Sequence, residues 1–332
     1  MRLELMQKTA RAISCVQRQD GFIPHTAAGT GDVWNHVEAA MALDVAGLPS
    51  EAERAYEWLA REQRRDGSWA LSYGPERIID AGADANFCAY AATGAWHHYL
   101  ATQDSGFLAT IWPVVEHALD FTLGLQAPGG EIHWARDGRG VAWPAALLTS
   151  SSCIHLSLRC GLAIAATLGR PRPLWQVARG RLAEAIEHRP DAFESRERWS
   201  MDWYYPILGG VLDEAAAEAR LRGEWDRFVV PGLGVRCVAD RPWVTAAETC
   251  ELVLALNAIG WTEEATELFA SVQSLRGADG AYWTGVTFPD GQVWPEEQPT
   301  WTSGAVLLAA DALSGQSRTS GLFRDDRLET VA

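Results

Sequence analysis

The chain repeats one supersecondary unit six times: an amphipathic helix, a Gly-rich polar loop, and an apolar helix of small residues whose first turns carry Trp and carboxylates. Such a repeat constrains the fold more tightly than any single motif, because one copy cannot bury its apolar face alone and must stack on the next. The clearest copies are "CVQRQDGFIPH" (residues 15–25), "REQRRDGSWAL" (61–71), "GLQAPGGEIHWA" (124–135) and "SVQSLRGADGAYWTG" (271–285). In each, a helix end with Gln is followed by glycine and an aromatic residue or Ile.

Two kinds of helix alternate. Those with charges along one face are expected over residues 3–18, 50–63, 107–125, 173–188, 212–223 and 261–274. Their one-sided apolar stripe marks helices that face water. Between them, residues 32–46, 84–102, 146–168, 201–211, 245–259 and 300–314 are apolar almost all round, which requires protein on every side. Closing six such hairpins into a ring covers both faces of the inner helices and leaves no end hairpin bare, as an open solenoid would. The expected fold is therefore all-α, an (α/α)6 barrel or toroid. Strand signals are confined to brief stretches such as "GEIHWA" and "GAYWTGV", enough for short β hairpins in the loops.

Loop lengths then locate the cavity. Connections from inner to outer helix are short, as in "GLPS" (47–50) and "LGRPR" (168–172), whereas those from outer to inner helix are far longer. Long loops in a compact domain usually have a task, so the mouth is expected where the inner helices begin. Residues 1–314 read as one domain, and residues 315–332, which lose the periodicity, as a loosely held tail.

A net charge of -15 argues against nucleic acid or an anionic membrane surface as partner, since both need clustered Lys and Arg. Lys8 is the single lysine, which excludes lysine-nucleophile chemistry deeper in the chain. Six cysteines with no C-x-x-C pair sit mostly in apolar helical runs, as buried thiols of a reducing compartment do. No signal-peptide core and no apolar run long enough for a membrane span is present, so a cytoplasmic protein is expected.

The first turns of the inner helices gather Asp32, Trp34, His36 and Glu38; Asp80, Asp84, Asn86 and Tyr90; Trp143, Ser150, Ser152 and His155; Asp202, Trp203, Tyr204 and Tyr205; Trp243, Thr245, Glu248 and Glu251; and Trp294, Glu296, Glu297 and Trp301. Trp283 lies in the loop before the last of them. Indoles, carboxylates and neutral hydrogen-bonding groups suit a polyhydroxylated ligand, because aromatic faces cover the apolar side of a sugar ring while carboxylates and amides take its hydroxyls. Two carboxylates facing each other could act as acid and base on a glycosidic bond. Several also have a structural reading: Asp32 and Asp84 stand where helix N-caps belong, and Thr245 with Glu248 spells a capping box. Glu38 lies too deep in its helix to cap anything, so it must be paired or face a wet cavity. Histidines and cysteines show no metal-ligand spacing, and Ser150 to Ser152 near His155 lack a G-x-S-x-G elbow. Neither metal nor organic cofactor is expected.

"QRRDGSWAL" (63–71) resembles the Gln-Trp repeat of the squalene-cyclase and protein-prenyltransferase superfamily, and the whole chain is similar to actinobacterial prenyltransferase-like proteins. That resemblance implies a toroid with an isoprenoid in its aromatic cavity. The stretch "DAGAD" (80–84) lacks the adjacent aspartates of the cyclase acid. "WPEEQPTWTSGAVLLAADAL" (294–313) resembles the closing segment of glucoamylase-like six-hairpin glycosidases, which implies Glu297 as general base. Taken together, the expectation is a carbohydrate-active enzyme processing a glycosidic bond, with Glu297 as base and Glu38 or Asp202 as acid. Trp34, His36, Asp84, Asn86, Tyr90, Trp203, Tyr204, Trp243, Glu248, Trp283 and Trp301 would bind an oligosaccharide or glycoside. An isoprenoid in the same cavity is the alternative, and a binding protein without chemistry the third reading.

Overall fold

The computed structural model describes residues 1–324. Outer and inner helices alternate through α1 (Leu3–Val16), α2 (Val33–Val45), α3 (Pro49–Glu62), α4 (Ala85–Thr102), α5 (Ser105–Leu123), α6 (Leu148–Thr167), α7 (Pro173–His188), α8 (Ser200–Leu208), α9 (Glu214–Phe228), α10 (Ala246–Ala258), α11 (Thr262–Val272) and α12 (Thr300–Ser314). The even-numbered helices form the inner ring. Each packs on the next, and α12 packs back on α2, which closes the (α/α)6 barrel. Their cores are Ala-rich: in α2, Val37, Ala39, Ala40, Met41, Ala42 and Leu43 are all buried completely. Small side chains let six helices crowd one axis at interior packing density. None of the described helices is long and apolar enough to cross a membrane.

The repeat has a mechanical reason. Gln63, which ends α3, donates through Nε2 to its own loop at Gly67 O (3.0 Å) and to the next outer helix at Val114 O (2.8 Å). Gln17 and Gln126 make the same double bond to Gly21 and Glu51 and to Gly130 and Ala178. Gly67 has φ +88°, and a Cβ there would run into the carbonyl of His117 on α5; only glycine accepts both constraints. In the last copy Gly280 lies against Lys8 of α1, so the repeat itself joins the end of the chain to its beginning. Trp69, the aromatic residue of the second copy, is buried and donates from Nε1 to Leu59 O at 3.0 Å. It is packing, not a sugar platform.

Among the described residues, strands occur only in the mouth loops. β1 (Ser72–Tyr73) and β2 (Ile78–Asp80) form a hairpin, and β3 (Ala83–Asp84) pairs with β4 (Ala135–Arg136). β5 (Val229–Val230), β6 (Gly234–Arg236), β7 (Trp243–Thr245) and β8 (Gly285–Thr287) form one antiparallel sheet. That sheet goes beyond the brief hairpins expected, because it ties the loops ahead of α10 and α12 to each other. The chain after Ser314 also differs from a loose tail as far as it is described. Ser317 and Thr319 donate to Asp311 Oδ2 (2.7 and 2.6 Å), and Leu322 and Phe323 are buried. Residues 325–332 of the expected tail lie outside the described residues.

Candidate active site

The barrel floor holds two buried acids at equal depth. Glu38 is at the sixth position of α2 and Glu251 at the sixth of α10. Tyr90 on α4 donates to Glu38 Oε2 at 2.7 Å and stacks on Trp34 with centroids 5.0 Å apart. Tyr205 donates to Glu251 Oε1 at 2.6 Å, and Tyr204 donates to Oε2. Burial pushes the Glu38 carboxyl up to about 7, against the Tyr90 bond that lowers it. Burial, then the charge of Glu248, pushes Glu251 up to about 8. Both line a narrow axial cavity with Trp34, Tyr90, Cys153 and Tyr205, closed below by Leu156, Leu208, Leu254 and Phe323. It has room for about one water molecule, so it is too small to take a ligand the size of a sugar ring.

Above the floor, four carboxylates stand at the first turns of four inner helices. Asp32 caps α2, with Oδ1 accepting from Asn35 N (2.9 Å); its Oδ2 meets Asn35 Nδ2 (2.6 Å) and His25 Nε2 (3.0 Å). Asp84 caps α4 through Oδ1 alone, which accepts from Asn86 N (2.7 Å) and Phe87 N (3.0 Å), and its Oδ2 takes no part in the cap. Burial, with the charge of Asp32 adding to it, pushes the Asp84 carboxyl up to about 7 despite those two bonds. Glu248 lies one turn above Glu251 on the same face of α10. Its Oε2 is buried without a hydrogen-bond partner, and burial, then the nearby Glu248 charge, raises the Cys237 thiol. Thr245 makes no side-chain cap bond, so the expected capping box is not formed and Glu248 is free of that duty. Asp202 accepts from Thr149 Oγ1 at 2.5 Å, and burial raises its carboxyl. In ring order α4 stands opposite α10, which sets Asp84 and Glu248 on facing walls. Asn86, one turn above Tyr90, adds a buried Oδ1 without a partner.

Other expected residues lie elsewhere. Glu297 is exposed and borders an outer groove with Lys8, Arg11 and Asp279. Its segment is pinned by Thr284 N to Glu297 O (3.0 Å) and Thr300 N to His25 O (2.8 Å), which turns the side chain toward α1 and away from the axis. His36 faces outward: its Nδ1 accepts from Ile23 N (2.9 Å), its Nε2 bonds Ala55 O (3.0 Å), and burial drops its pKa to about 4. A neutral imidazole there ties the first loop to α3. Trp203 is buried against Phe228, stacked at 5.3 Å, with Nε1 donating to Arg220 O. Asp202 beside it borders a side groove walled by Ile186, Phe193, Arg196 and Arg220. Tyr204 serves the floor, and Trp283 and Trp301 are half-buried around the start of α12. Among the described residues, no group of three or more His, Cys, Asp and Glu side chains could hold a metal ion.

Reading the sequence undervalued Glu251, Asp32 with its His25 and Asn35 partners, and Cys237. For Glu251 a signal existed, since it lies three residues after Glu248 in an all-apolar helix. Cys237 could not be found that way, because β6 and its loop bring it to α10.

No family model matches the chain. It is 53% identical over 321 residues, 97% of its length and 89% of the relative's, to the MMP endo-(1,4)-3-O-methyl-α-D-mannosidase of Mycolicibacterium hassiacum. Among solved structures it is similar to a wild-type glycosidase (TM-score 0.74, 15% identity, 94% of this chain and 96% of that one). It is also similar to a D-mannose isomerase (TM-score 0.71, 10% identity, 94% and 97%). At such identities these likenesses carry the fold alone. These relatives are sugar enzymes, and kinship with cyclases or prenyltransferases is not shown.

Proposed function

The chain belongs to the family of the MMP endo-(1,4)-3-O-methyl-α-D-mannosidase, carbohydrate-active enzymes of the glycoside-hydrolase kind, and from this premise we propose that it hydrolyses internal α-(1,4) linkages of a 3-O-methylated mannan. Asp84 is the general acid and Glu248 the general base. The observation that carries this assignment is a pair of first-turn carboxylates on facing walls, each with an oxygen no protein group uses.

In the reaction, the Asp84 carboxyl gives its proton to the glycosidic oxygen as the bond from that oxygen to the anomeric carbon breaks. Water attacks the same carbon from the opposite face and loses a proton to Glu248. The proton sits on Asp84 because burial and the neighbouring Asp32 charge both disfavour its carboxylate. A base on the opposite wall leaves space for the water, the arrangement of an inverting hydrolase. Trp34 and Asn86 lie one turn above the floor, where they would contact the sugar bound at the cleavage point. Glu38 and Glu251 are held by tyrosines of the neighbouring inner helices and support this layer without touching substrate.

Incubation with 3-O-methylated α-(1,4)-mannooligosaccharides tests the reading, with reducing ends assayed and the first-formed anomer followed by NMR. Release of inverted product, lost in Glu248→Gln, is expected. Turnover of prenyl diphosphates without release of reducing ends would overturn it in favour of an isoprenoid cavity.

A further inference from the structure

Most of the large apolar side chains exposed on the described surface belong to the mouth loops. Trp143 is 53% exposed and Trp294 55%. Neither is isolated. Trp134 and Trp143 stand with ring centroids 6.1 Å apart in the loop before α6. Trp243 and Trp294 stand edge to face at 4.8 Å, fixed by a bond from Trp243 Nε1 to Trp294 O at 2.7 Å. Two-membered aromatic corners this exposed cost hydrophobic free energy in the free protein, which an apolar-faced ligand would recover.

Their placement ties them to the cleavage point. Trp134 O accepts from Ala85 N at 2.8 Å, one residue past Asp84. Trp243 begins β7, the strand that runs into α10 and Glu248. The first pair therefore stands between α4 and α6 and the second between α10 and α12, positions diametrically opposed in the ring. A chain laid from one pair to the other passes Asp84, crosses the bowl and passes Glu248. Ile78, Ile79 and Val141, all exposed, edge the first side with more apolar surface. Hydroxyls would find no partner on these aliphatic groups, whereas methyl ethers lose nothing by contacting them.

We propose that Trp134/Trp143 and Trp243/Trp294 are two sugar-binding platforms flanking the cleavage point, which hold O-methylated sugar units on both sides and so direct attack to internal linkages. This inference rests on the hydrolase reading above. It deepens that reading by supplying subsites and a reason for preferring methylated chains.

The test uses full-length Trp143→Ala and Trp294→Ala, whose exposed side chains can be removed with little effect on melting temperature. Binding of methylated α-(1,4)-mannooligosaccharides of graded length is titrated in the Glu248→Gln background, and product lengths are followed in the active one. Each Trp variant is expected to weaken the longest oligosaccharides by about three- to tenfold, to leave the shortest cleavable one within about twofold, and to shift the cut away from the lost platform. Unmethylated chains are expected to bind more weakly to wild type and to respond less. Cleavage with long-chain affinity and product lengths unchanged from wild type in both variants would overturn the platforms and leave the hydrolase reading intact. Length-dependent binding without cleavage by the wild type would overturn the hydrolase reading and keep the platforms. Absence of any binding would remove both.

Discussion

The two ends of the barrel both bury carboxylates, yet they treat them differently. At the far end, Asp44 is fully occupied by His98 Nδ1 (2.9 and 3.0 Å to its two oxygens), and Asp311 Oδ2 accepts from Ser317 and Thr319. These acids knit the short connections and the C-terminal segment to the ring. At the mouth, Asp84 keeps an oxygen clear of its cap and Glu248 keeps one without any partner. Leaving a buried acceptor unfilled costs about 1–3 kcal/mol, which a fold tolerates where something else fills it. Burial alone therefore does not tell the mouth acids from those that knit the far end.

The sharpest way to break this contrast is Asp84→Asn. Asn caps a helix nearly as well as Asp, so stability should hold while kcat/KM on methylated mannooligosaccharides falls by about 10²–10⁴-fold. Loss of fold with unchanged specific activity would make Asp84 a cap only. The mirror experiment is Asp311→Ala, expected to cost about 1–3 kcal/mol in urea unfolding and to leave kcat/KM within about twofold. Activity lost in proportion would erase the distinction between the ends.

Acidity divides the regions again. Under the proposed mechanism Asp84 acts protonated, so kcat/KM should decline as pH rises through about 7, and Asp84→Asn should lose that limb. Glu38 and Glu251 take their protons more tightly when folded, at about 7 and about 8 against about 4.5 in the open chain. Their contribution to stability is complete below about 4.5 and is lost as pH rises through about 7 to 8. Melting curves recorded from pH 5 to 9 should slope downward, and Glu38→Gln with Glu251→Gln should flatten them. The smallest effect belongs to Glu297→Gln, for which activity within about twofold and stability within about 0.5 kcal/mol are expected. A large loss there would return the base to the segment before α12.

The barrel was legible because the two helix types differ in where water lies, and periodicity reports that directly. Alternation placed all twelve helices. The choice among acids was less legible. An inner helix is apolar on every side, so its hydropathy does not tell the axial face from the seams. His36 and Trp203 face outward from helices that also carry Glu38 and Tyr205, which line the axis. Glu297 sits in a short motif whose meaning depends on which way a pinned loop turns, and contacts to Thr284 and His25, distant in sequence, decide that. Cys237 reaches Glu248 only through a sheet assembled from separate loops.

Phe323, contributed by the last described turn of the chain, lines the bottom of the axial cavity beside Leu208 and Leu254. With that ring as its stopper the toroid is a cup and not a pipe. Whatever enters must leave by the same lip, so under the proposed hydrolysis both halves of a cut glycan would depart through the opening that admitted the whole. Under the proposed reaction, release of the cleaved strand and arrival of the next would share one doorway.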